Sequence, residues 1–562
     1  MSLPQFEVQG SLFESLGAIA PDLFSDNDKY KIFARKIWPV LARCRQELTQ
    51  CYQDNNGRPG VEPVVLLGVL IFQFLERVPD RQAVELVKYH LGWKLALNLK
   101  LSDQGFHPTT LVYFRQRLIE HAKSDMAMRA VLEALQKEGL IAKRSKQRLD
   151  STHVLSAVAD LSALECVRET LRLGLEEVAR GLAEDRPDFW GLLWERYVEN
   201  KLDYKSGAEV LKNKHRQAGQ DALILLEWLQ TMTPELRYGR AVELLREVFA
   251  QQYEVKAKQA ESVKEHATGV VRNPHDPDAQ CSAKGQGKAK KSWVGYKVQV
   301  AETLPEKEAQ QERFISSIVT QKASQSDDPG LDESLSDQAI SGLERPTELY
   351  VDGAYVSGAR LQQAAEQGWE LIGPAQPSAN RAGLAQAYRI ESFDVNISAR
   401  EATCPGGYRS TQCSRLEEKK RAKISYRFEW SSHCQGCRLK AQCVPDNQTH
   451  RTIVVGEHHD RLQARRIEQK TLVFKEKMHQ RAAVEGSISE LVRGHGLRRS
   501  RYRGFAKVEL QNLLIATACN IKRWLRVISA AKKTSHTLYE RLTKALFDSS
   551  RPSQGRMASF CA

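Results

Sequence analysis

The sequence predicts an α/β protein (α+β overall), in which a mixed sheet is combined with several helical segments. Apolar residues recur at helical spacing over much of the first 280 residues, and from about residue 285 their period changes from 3.6 to 2. A strand–helix–strand pattern follows between residues 349 and 373. This order of patterns is typical of a sheet with helices packed against it.

Composition favours a nucleic-acid partner and disfavours a membrane protein. The chain has 562 residues, enough for several domains, and its formal net charge is +14. Such an excess of positive charge favours a polyanion, although ribosomal and membrane-surface proteins share it. The longest apolar run, 64–75, is shorter than the roughly 20 residues of a membrane span. No signal-peptide pattern opens the chain, so we expect a soluble, cytoplasmic protein with no membrane partner.

The first 140 residues predict a helical domain. Gly57-Arg58-Pro59-Gly60 interrupts the helical pattern, and Thr109 is a good N-cap for a short helix that carries Arg115 and Arg117. A helix with one apolar face and several cations can lie in a DNA groove, or it can be a solvated surface helix. Residues 148–154 then predict a short strand that ends in polar residues.

The rest of the chain divides into a core and two insertions. We predict core segments at 141–160, 285–380 and 455–535, a helical insertion at 161–284, a cysteine-rich insertion at 385–450 and a flexible tail at 536–562. Apolar residues at helical spacing mark the first insertion. They are Leu164, Val167, Leu171, Leu175, Val178 and Leu182. Core strands are predicted near 294–300, 314–320, 349–353 and 369–373, with a helix near 357–367.

Four cysteines in the 385–450 insertion suggest a structural zinc site. Cys404 precedes Cys434, Cys437 and Cys443, and four thiolates suit tetrahedral Zn²⁺. A module this small has little core of its own, which favours a metal. The alternative is that these are free thiols in a reduced protein. Three further side chains are substitute ligands in this interpretation: Cys413, His433 and His450.

Three carboxylates are candidates for a catalytic metal site. Asp150 and Asp352 each end a predicted strand, although an Asp-Gly pair such as 352–353 is also a common turn. If one helix continues past Ile467, Glu485 falls on its inward-facing apolar side. A buried carboxylate there needs a cation, which is either Arg481 one turn earlier or a metal ion.

The same three carboxylates suit a pair of hard divalent cations. Mg²⁺ prefers oxygen ligands and keeps water and phosphate oxygens in its shell. Two such ions, about 3.5–4 Å apart, activate an attacking hydroxyl and stabilise a leaving oxygen, as phosphodiester cleavage requires.

Short segments around these carboxylates resemble the acidic blocks of insertion-sequence DDE transposases. The segments are Leu149-Asp150-Ser151-Thr152-His153-Val154, Tyr350-Val351-Asp352-Gly353-Ala354-Tyr355 and Arg481-Ala482-Ala483-Val484-Glu485-Gly486. Asp276-Pro277-Asp278-Ala279 and Gly295-Tyr296-Lys297-Val298 are similar to the family's second-strand region, and 498–503 to its basic run. Residues 50–125 are similar to the domain that precedes the catalytic core in an IS-eleven-eighty-two-like branch.

This resemblance implies an RNase H-like mixed sheet with a small zinc-ribbon-like insertion. It places Asp150 on the first strand, Asp352 on the fourth and Glu485 on a later helix, where they bind two Mg²⁺ (or Mn²⁺). Arg481 would orient Glu485 or contact a phosphate. The chain departs from the family pattern at two positions, because Met478 replaces a tyrosine and Val492, next to Arg493, replaces a lysine.

Basic residues after Glu485 predict a DNA-binding surface. Residues 491–533 contain eleven Lys or Arg and one acidic residue, Glu509. We therefore expect double-stranded DNA, both transposon ends and target, as partner, with a solvated face as the alternative. The candidate DNA-binding residues are Arg115, Arg117, Arg493, Arg498, Arg499, Arg501, Arg503 and Lys507.

The sequence thus predicts a transposase that cleaves terminal inverted repeats and transfers strands. Two transposon ends must be processed together, so a homodimer is expected, and a DNA partner implies association with the bacterial nucleoid. Three alternatives remain at this stage. They are an RNase H-like nuclease without strand transfer, a non-catalytic DNA-binding descendant of a transposase, and a zinc-containing regulator.

Overall fold

The computed structural model describes a mixed α/β protein built on a curled mixed sheet. It describes residue 3 and residues 15–52, 60–182, 186–201, 207–263, 269–284, 291–305, 312–378, 383–418 and 423–549, with side chains up to residue 531 except that of residue 423. None of the described helices combines the length and apolar character that crossing a membrane would need.

Helices form the N-terminal part of the chain, as the sequence predicted. They are α1 (Leu16–Ile19), α2 (Lys29–Ile32), a π-helical turn (Phe33–Ile37), α3 (Trp38–Arg43), α4 (Arg45–Thr49), α5 (Pro63–Leu75), α6 (Asp80–Tyr89), α7 (Leu91–Ala96), α8 (Thr109–Glu120) and α9 (Met126–Lys137). Helix α5 is buried from Pro63 to Phe74. An apolar helix of this length is a core helix, since it is too short to span a bilayer.

After strand β1 (Gln147–Leu155) comes the helical insertion. It contains α10 (Ala163–Gly181), α11 (Trp190–Trp194), a π-helical turn (Glu195–Glu199), α12 (Ala208–Leu229), α13 (Pro234–Arg237), α14 (Arg240–Gln252) and the hairpin β2 (Tyr253–Lys256) and β3 (Gln259–Ser262). Ser162 and Glu165 form a capping box that starts α10. The insertion has its own apolar core, and its two ends meet where Leu161 N–H donates to the Arg272 carbonyl at 3.3 Å.

The central sheet has six strands of mixed direction. Besides β1 they are β4 (Gln280–Lys284), β5 (Lys291–Thr303), β6 (Ile315–Lys322), β7 (Glu348–Tyr350) and β8 (Glu370–Ile372), with α15 (Asp328–Ile340) before β7 and α16 (Gly358–Glu366) before β8. Strand β5 pairs antiparallel with β1, β4 and β6, and β7 pairs parallel with β1 and β8. Away from β4 the strand order is therefore β6-β5-β1-β7-β8, with β5 reversed.

Strands β1 and β5 approach each other closely at Gly295. This glycine pairs with Leu155 and has φ +155°. A Cβ atom built at Gly295 would lie 2.0 Å from the Val154 carbonyl oxygen, so only glycine fits there without moving the backbone.

The cysteine-rich insertion is a separate small module. It consists of two 3₁₀ turns (Gln386–Tyr388 and Ile390–Ser392), β9 (Asp394–Asn396), β10 (Glu401–Thr403), β11 (Gln412–Glu418), β12 (Lys423–Glu429), α17 (Lys440–Cys443) and β13 (Thr452–Gly456). Strands β9 and β10 pair with each other, and β11, β12 and β13 form a three-stranded antiparallel sheet. The core includes Phe393, Phe428 and Trp430.

Four helices end the chain: α18 (His459–Glu468), α19 (Leu472–Ala482), α20 (Val484–His495) and α21 (Phe505–Ser549). Helix α21 packs between α5 and β6, so one apolar core joins the N-terminal helices to the sheet. The flexible tail was predicted to begin at residue 536, but α21 continues to Ser549. Its last turns contain Leu, Lys, Ala and Glu, which favour helix even where the pattern is polar. Residues 550–562 of the predicted tail lie outside the described residues.

Candidate active site

Asp150 and Asp352 lie at the same level of two neighbouring parallel strands. In the β1–β7 ladder, Gln147 pairs with Leu349 and Arg148 with Tyr350. Each aspartate lies two residues beyond the last pair of this ladder. Asp352 lies in the loop that leaves β7, and its Oδ1 atom accepts a hydrogen bond from the Ala354 N–H at 2.8 Å. The negative charge of Asp352 acts on Asp150, so the two carboxylates are near one another.

Asp150 lies in the middle of β1. The sequence predicted that it ends a short strand, but β1 continues to Leu155 because residues up to Leu155 pair with β5. Asp150 pairs with Val300 of β5, and residues paired in this way point to the same face of a sheet. The Oδ1 atom of Asp150 also accepts a hydrogen bond from the Ser151 N–H at 2.8 Å.

The pKa of Asp150 is raised above its ordinary value. Burial is the largest cause, and the negative charge of Asp352 adds to it. The positive charges of Arg481 and Lys284 act in the opposite direction. The two aspartates therefore interact electrostatically, and a cation placed between them would stabilise both in the ionised form.

Arg481 brings the C-terminal helices to this pair of carboxylates. Its Nη2 atom donates a hydrogen bond to Asp150 Oδ2 at 2.9 Å. The sequence had suggested Glu485 as the partner of this guanidinium, or as the residue that it orients. Arg481 is in the last turn of α19, so the junction between α19 and α20 lies against β1.

Glu485 is exposed, and the prediction that it lies on a buried helix face is wrong. That prediction assumed one helix from Ile467 onward, whereas α18 ends at Glu468, α19 ends at Ala482 and α20 begins at Val484. Ile467 is itself 69 % exposed. Each break resets the helical phase, and Glu485 falls in the first turn of α20. Among the described residues, Glu485 does not form with Asp150 and Asp352 a group whose donor atoms all lie within 4.8 Å of one another.

All four predicted zinc ligands line one small cavity. Cys404, Cys434, Cys437 and Cys443 are free thiols, and they face this cavity together with Trp430 and His433. Burial raises the pKa of Cys443 to about 11, and the other three cysteines add to this shift. Cys413 lies on β11 and His450 lies before β13. Neither belongs to the lining of the cavity.

Two protein-family models match the chain. A transposase DDE domain matches residues 403–525, and a transposase domain (DUF772) matches residues 20–117. These matches support an insertion-sequence DDE transposase. A comparison with curated proteins finds no match.

The match to the DDE domain includes only some of the residues of the candidate site. It contains Arg481, Glu485 and the four cysteines of the cavity. Asp150 and Asp352 lie outside both matched ranges. A DDE domain implies a nuclease or transposase activity that uses divalent metal. The geometry of the two aspartates is therefore an observation independent of the family match.

Among the predicted DNA-binding residues, Arg115 is buried and paired within the fold. Its guanidinium donates two hydrogen bonds to the carboxylate of Asp80, at 2.6 and 3.0 Å, and lies 4.8 Å from the ring centre of Tyr502. Arg115 lies on the buried face of α8 with Leu111, Phe114 and Leu118. Its guanidinium is thus occupied by an internal ion pair, and its contact with DNA stays a prediction.

The remaining basic candidates differ in exposure and in internal contacts. Arg498 donates to the His153 carbonyl at 2.9 Å, and Arg501 donates to the Val78 carbonyl at 2.9 Å. Arg117 is half-buried, with its guanidinium 4.7 Å from the ring centre of Tyr52. The exposed side chains among the candidates are those of Arg493, Arg499, Arg501, Arg503 and Lys507, of which Arg501 also makes the internal contact with Val78.

A group of potential metal-ligand atoms lies on α20 and α21. Among the described residues, Glu490, His495 and Cys519 are the one group of three or more metal-ligand types whose donor atoms all lie within 4.8 Å of one another. Both oxygens of Glu490 already accept hydrogen bonds, from Arg523 at 2.9 Å and from Arg526 at 2.7 Å. Burial lowers the pKa of His495 to about 4. With two guanidiniums on its carboxylate, this group is better explained as part of a buried ion-pair network.

Sequence analysis missed the residues that connect this network to the site. Glu302 pairs with Arg148 across the β1–β5 ladder, and both are buried. A signal was present in the sequence, because Glu302 continues the inward alternation of Tyr296, Val298 and Val300. A carboxylate at a position predicted to be apolar and buried requires a cationic or hydrogen-bonding partner.

Proposed function

We propose that the chain is a transposase that cleaves DNA at terminal inverted repeats and joins the freed strand to target DNA. Asp150 and Asp352 hold two Mg²⁺ (or Mn²⁺) ions, and Glu485 completes the second site. The observation that carries this proposal is the electrostatic effect of Asp352 on the buried Asp150, two residues beyond the last paired positions of the parallel strands β1 and β7. The proposal includes the IS-eleven-eighty-two-like branch, on the resemblance of residues 50–125.

The sheet supports an RNase H-like core. Its order β6-β5-β1-β7-β8, with only β5 reversed, puts the first acidic residue on the central strand and the second after the neighbouring parallel strand. Ligands of open α/β sheets bind at the carboxyl ends of parallel strands, which is where Asp352 lies. We propose that residues 1–140 are a DNA-binding domain and that residues 161–284 and 385–450 are insertions. Residues 455–535 then supply the C-terminal core helices, and residues 536–562 form a tail.

The donor set fits hard divalent cations. Burial and Asp352 both raise the pKa of Asp150, so a bound cation would offset the desolvation and the repulsion. Two such ions, once bound, activate an attacking water or 3′-hydroxyl and stabilise the leaving oxygen. Arg481 holds Asp150 in place by its hydrogen bond to Oδ2. If the carboxylate engages metal, the guanidinium becomes available to a DNA phosphate.

The cysteine module supports a structural zinc ion. Four thiols, from two loops and α17, line one cavity, and four thiolate ligands leave no open coordination position for chemistry. In this proposal the module is zinc-ribbon-like. The transposase acts as a homodimer on two double-stranded ends, in the cytoplasm at the nucleoid.

The function is tested with purified protein, a labelled duplex carrying the flanking end of its element, and Mg²⁺. We expect release of a 3′-hydroxyl by the wild type, and binding without release by Asp352→Asn. Asp188→Asn, an exposed aspartate of the helical insertion, is the matched control and should cleave like wild type. Cleavage by Asp352→Asn at the wild-type rate would remove Asp352 from the mechanism.

A nuclease that lacks strand transfer would use the same ligands. Precut ends with a free 3′-hydroxyl are therefore incubated with supercoiled plasmid and Mg²⁺. A transposase yields plasmid covalently joined to the labelled end, and a simple nuclease yields none. Absence of metal-dependent nicking altogether would favour a DNA-binding protein or a regulator.

A further inference from the structure

The carboxylate of Glu302 is a meeting point for three elements of the fold. It is fully buried at the end of β5. Its Oε1 atom accepts a hydrogen bond from Arg148 Nε of β1, and its Oε2 atom accepts hydrogen bonds from Ser487 Oγ of α20 and from Arg523 Nη1 of α21, the last at 3.3 Å. Glu302 therefore ties the strand that carries Asp150 to the helices that follow the second aspartate.

These contacts hold the α19–α20 junction on both sides. Before the break, Arg148 Nη1 donates to the Gln480 carbonyl at 2.7 Å, directly beside Arg481. After the break, Ser487 is bound to Glu302, two residues beyond Glu485. Both contacts originate from the same Arg148–Glu302 pair.

One apolar side chain of the junction, Val484, is fully buried. Ala482, Glu485 and Gly486 are exposed, and a Cβ atom added at Gly486 would meet no described atom within 4 Å. Apart from Val484, the segment is held by its polar anchors, so loss of an anchor gives it more freedom to move.

The network joins several charged groups. Glu302 accepts from Arg148 and Arg523, and Glu490 accepts from Arg523 and Arg526. Apolar residues at such positions often stabilise a fold as well as or better than a buried ion pair. A buried charged cluster that joins three elements instead fixes their relative geometry.

We propose that Glu302 is a positioning residue for the metal site. It fixes the α19–α20 junction so that Arg481 and Glu485 are presented to Asp150 and Asp352. This inference rests on the proposed function. It adds that the affinity for divalent metal depends on a carboxylate that binds no metal.

The test is the isosteric substitution Glu302→Gln. We expect the Mg²⁺ concentration for half-maximal cleavage to rise about 10-fold or more, as with other residues that orient metal ligands. Affinity for end DNA should stay within about 2-fold of wild type, since the exposed arginines are untouched. Hydrogen–deuterium exchange of residues 476–490 should become faster, because the junction loses an anchor.

Asp221→Asn is the matched control. Asp221 is also a buried carboxylate, and it accepts hydrogen bonds from Arg196 and Tyr197 in the helical insertion. Its replacement should lower the melting temperature without changing the Mg²⁺ midpoint or the exchange of residues 476–490. If Glu302→Gln fails to fold, Ser487→Ala, which removes one anchor, should shift the same two readouts in the same direction.

An unchanged Mg²⁺ midpoint together with unchanged exchange at the junction would overturn the inference. Failure of the proposed function looks different, because wild-type protein would then not cleave end DNA with any divalent metal. The exchange measurement still decides the positioning role in that case, since it needs neither DNA nor activity.

Discussion

At the scale of single residues, Asp150 is a carboxylate in unfavourable surroundings. Burial and the charge of Asp352 raise its pKa, and the hydrogen bond from Arg481 offsets only part of this. Such surroundings are common where a carboxylate is arranged for function rather than for stability. The position of Asp150 therefore has consequences for folding that can be measured without DNA.

We predict that Asp150→Asn is more heat-stable than wild type at neutral pH in EDTA. The raised pKa means that folded wild type keeps the Asp150 proton to a higher pH than the unfolded chain does. The contribution of Asp150 to stability is then present at low pH and is lost as pH rises through the folded pKa. An asparagine does not ionise, so the difference in melting temperature should grow with pH.

Calorimetry between pH 4 and 8 measures this effect. Mg²⁺ should raise the melting temperature of wild type more than that of Asp150→Asn, because binding to the folded state stabilises it. A variant that is less stable than wild type at every pH would show that the ion pair with Arg481 outweighs burial.

At the scale of elements, sequence patterns located most core strands and helices but not their ends. The predicted stripe of α10 is confirmed, since Leu164, Val167 and Leu171 are buried. Strand β1 runs from Gln147 to Leu155, close to the predicted 148–154, and Asp150 lies inside it because Ser151 and Thr152 pair with β5 despite their polarity. The break at Ala483 has neither glycine nor proline to signal it, so the phase of the helix was extrapolated too far.

The register between β1 and β7 could not be predicted from the sequence. It depends on which strands become neighbours, and residue 150 is separated from β7 and Asp352 by a helical insertion and by strands β4, β5 and β6 of the sheet. Acidic residues near strand ends were visible, whereas their adjacency is a property of the folded sheet. The burial of Arg115 likewise depends on Asp80, which lies on another helix.

The cysteine module yields a prediction at the same scale. We expect purified protein to contain about one Zn²⁺ per chain, bound by the four cavity thiols. Cys437→Ser should lose this zinc and make residues 385–450 sensitive to protease, because the small apolar core needs the bound metal to stabilise it. Cys413→Ser is the matched control and should keep its zinc, since Cys413 is outside the cavity lining.

Zinc is measured by mass spectrometry on protein dialysed free of excess metal. Equal zinc content in wild type and in Cys437→Ser would contradict the site. Zinc in wild type that disappears in both variants would shift the assignment toward Cys413.

At the scale of the whole molecule, the N-terminal helices and the sheet share one core. Val69 of α5, Val300 of β5 and Leu514 of α21 belong to the same cluster of buried residues. The helical insertion, in contrast, has a core of its own and is attached through ends that meet at Leu161 and Arg272. The N-terminal helices thus share the core of the sheet, whereas the helical insertion, of similar length, packs around a core of its own.

We predict that a chain of residues 141–562 does not fold into a stable core. Removal of the N-terminal helices would expose one side of α21 and of the sheet, and each buried apolar side chain contributes about 1.5–3 kcal/mol. Circular dichroism and dye binding should reveal loss of cooperative melting. The contrasting deletion replaces residues 163–270 by a short flexible linker, and it should keep a cooperative transition. The same result for both deletions would contradict a shared core.

Gly295, in strand β5, affects the position of the neighbouring strand β1. A methyl group at this position would push β1 and β5 apart, because it would overlap the carbonyl oxygen of Val154. The strand displaced by it carries Asp150 five residues away. We therefore expect Gly295→Ala to abolish DNA cleavage, although it leaves every carboxylate, cysteine and arginine of the sequence in place.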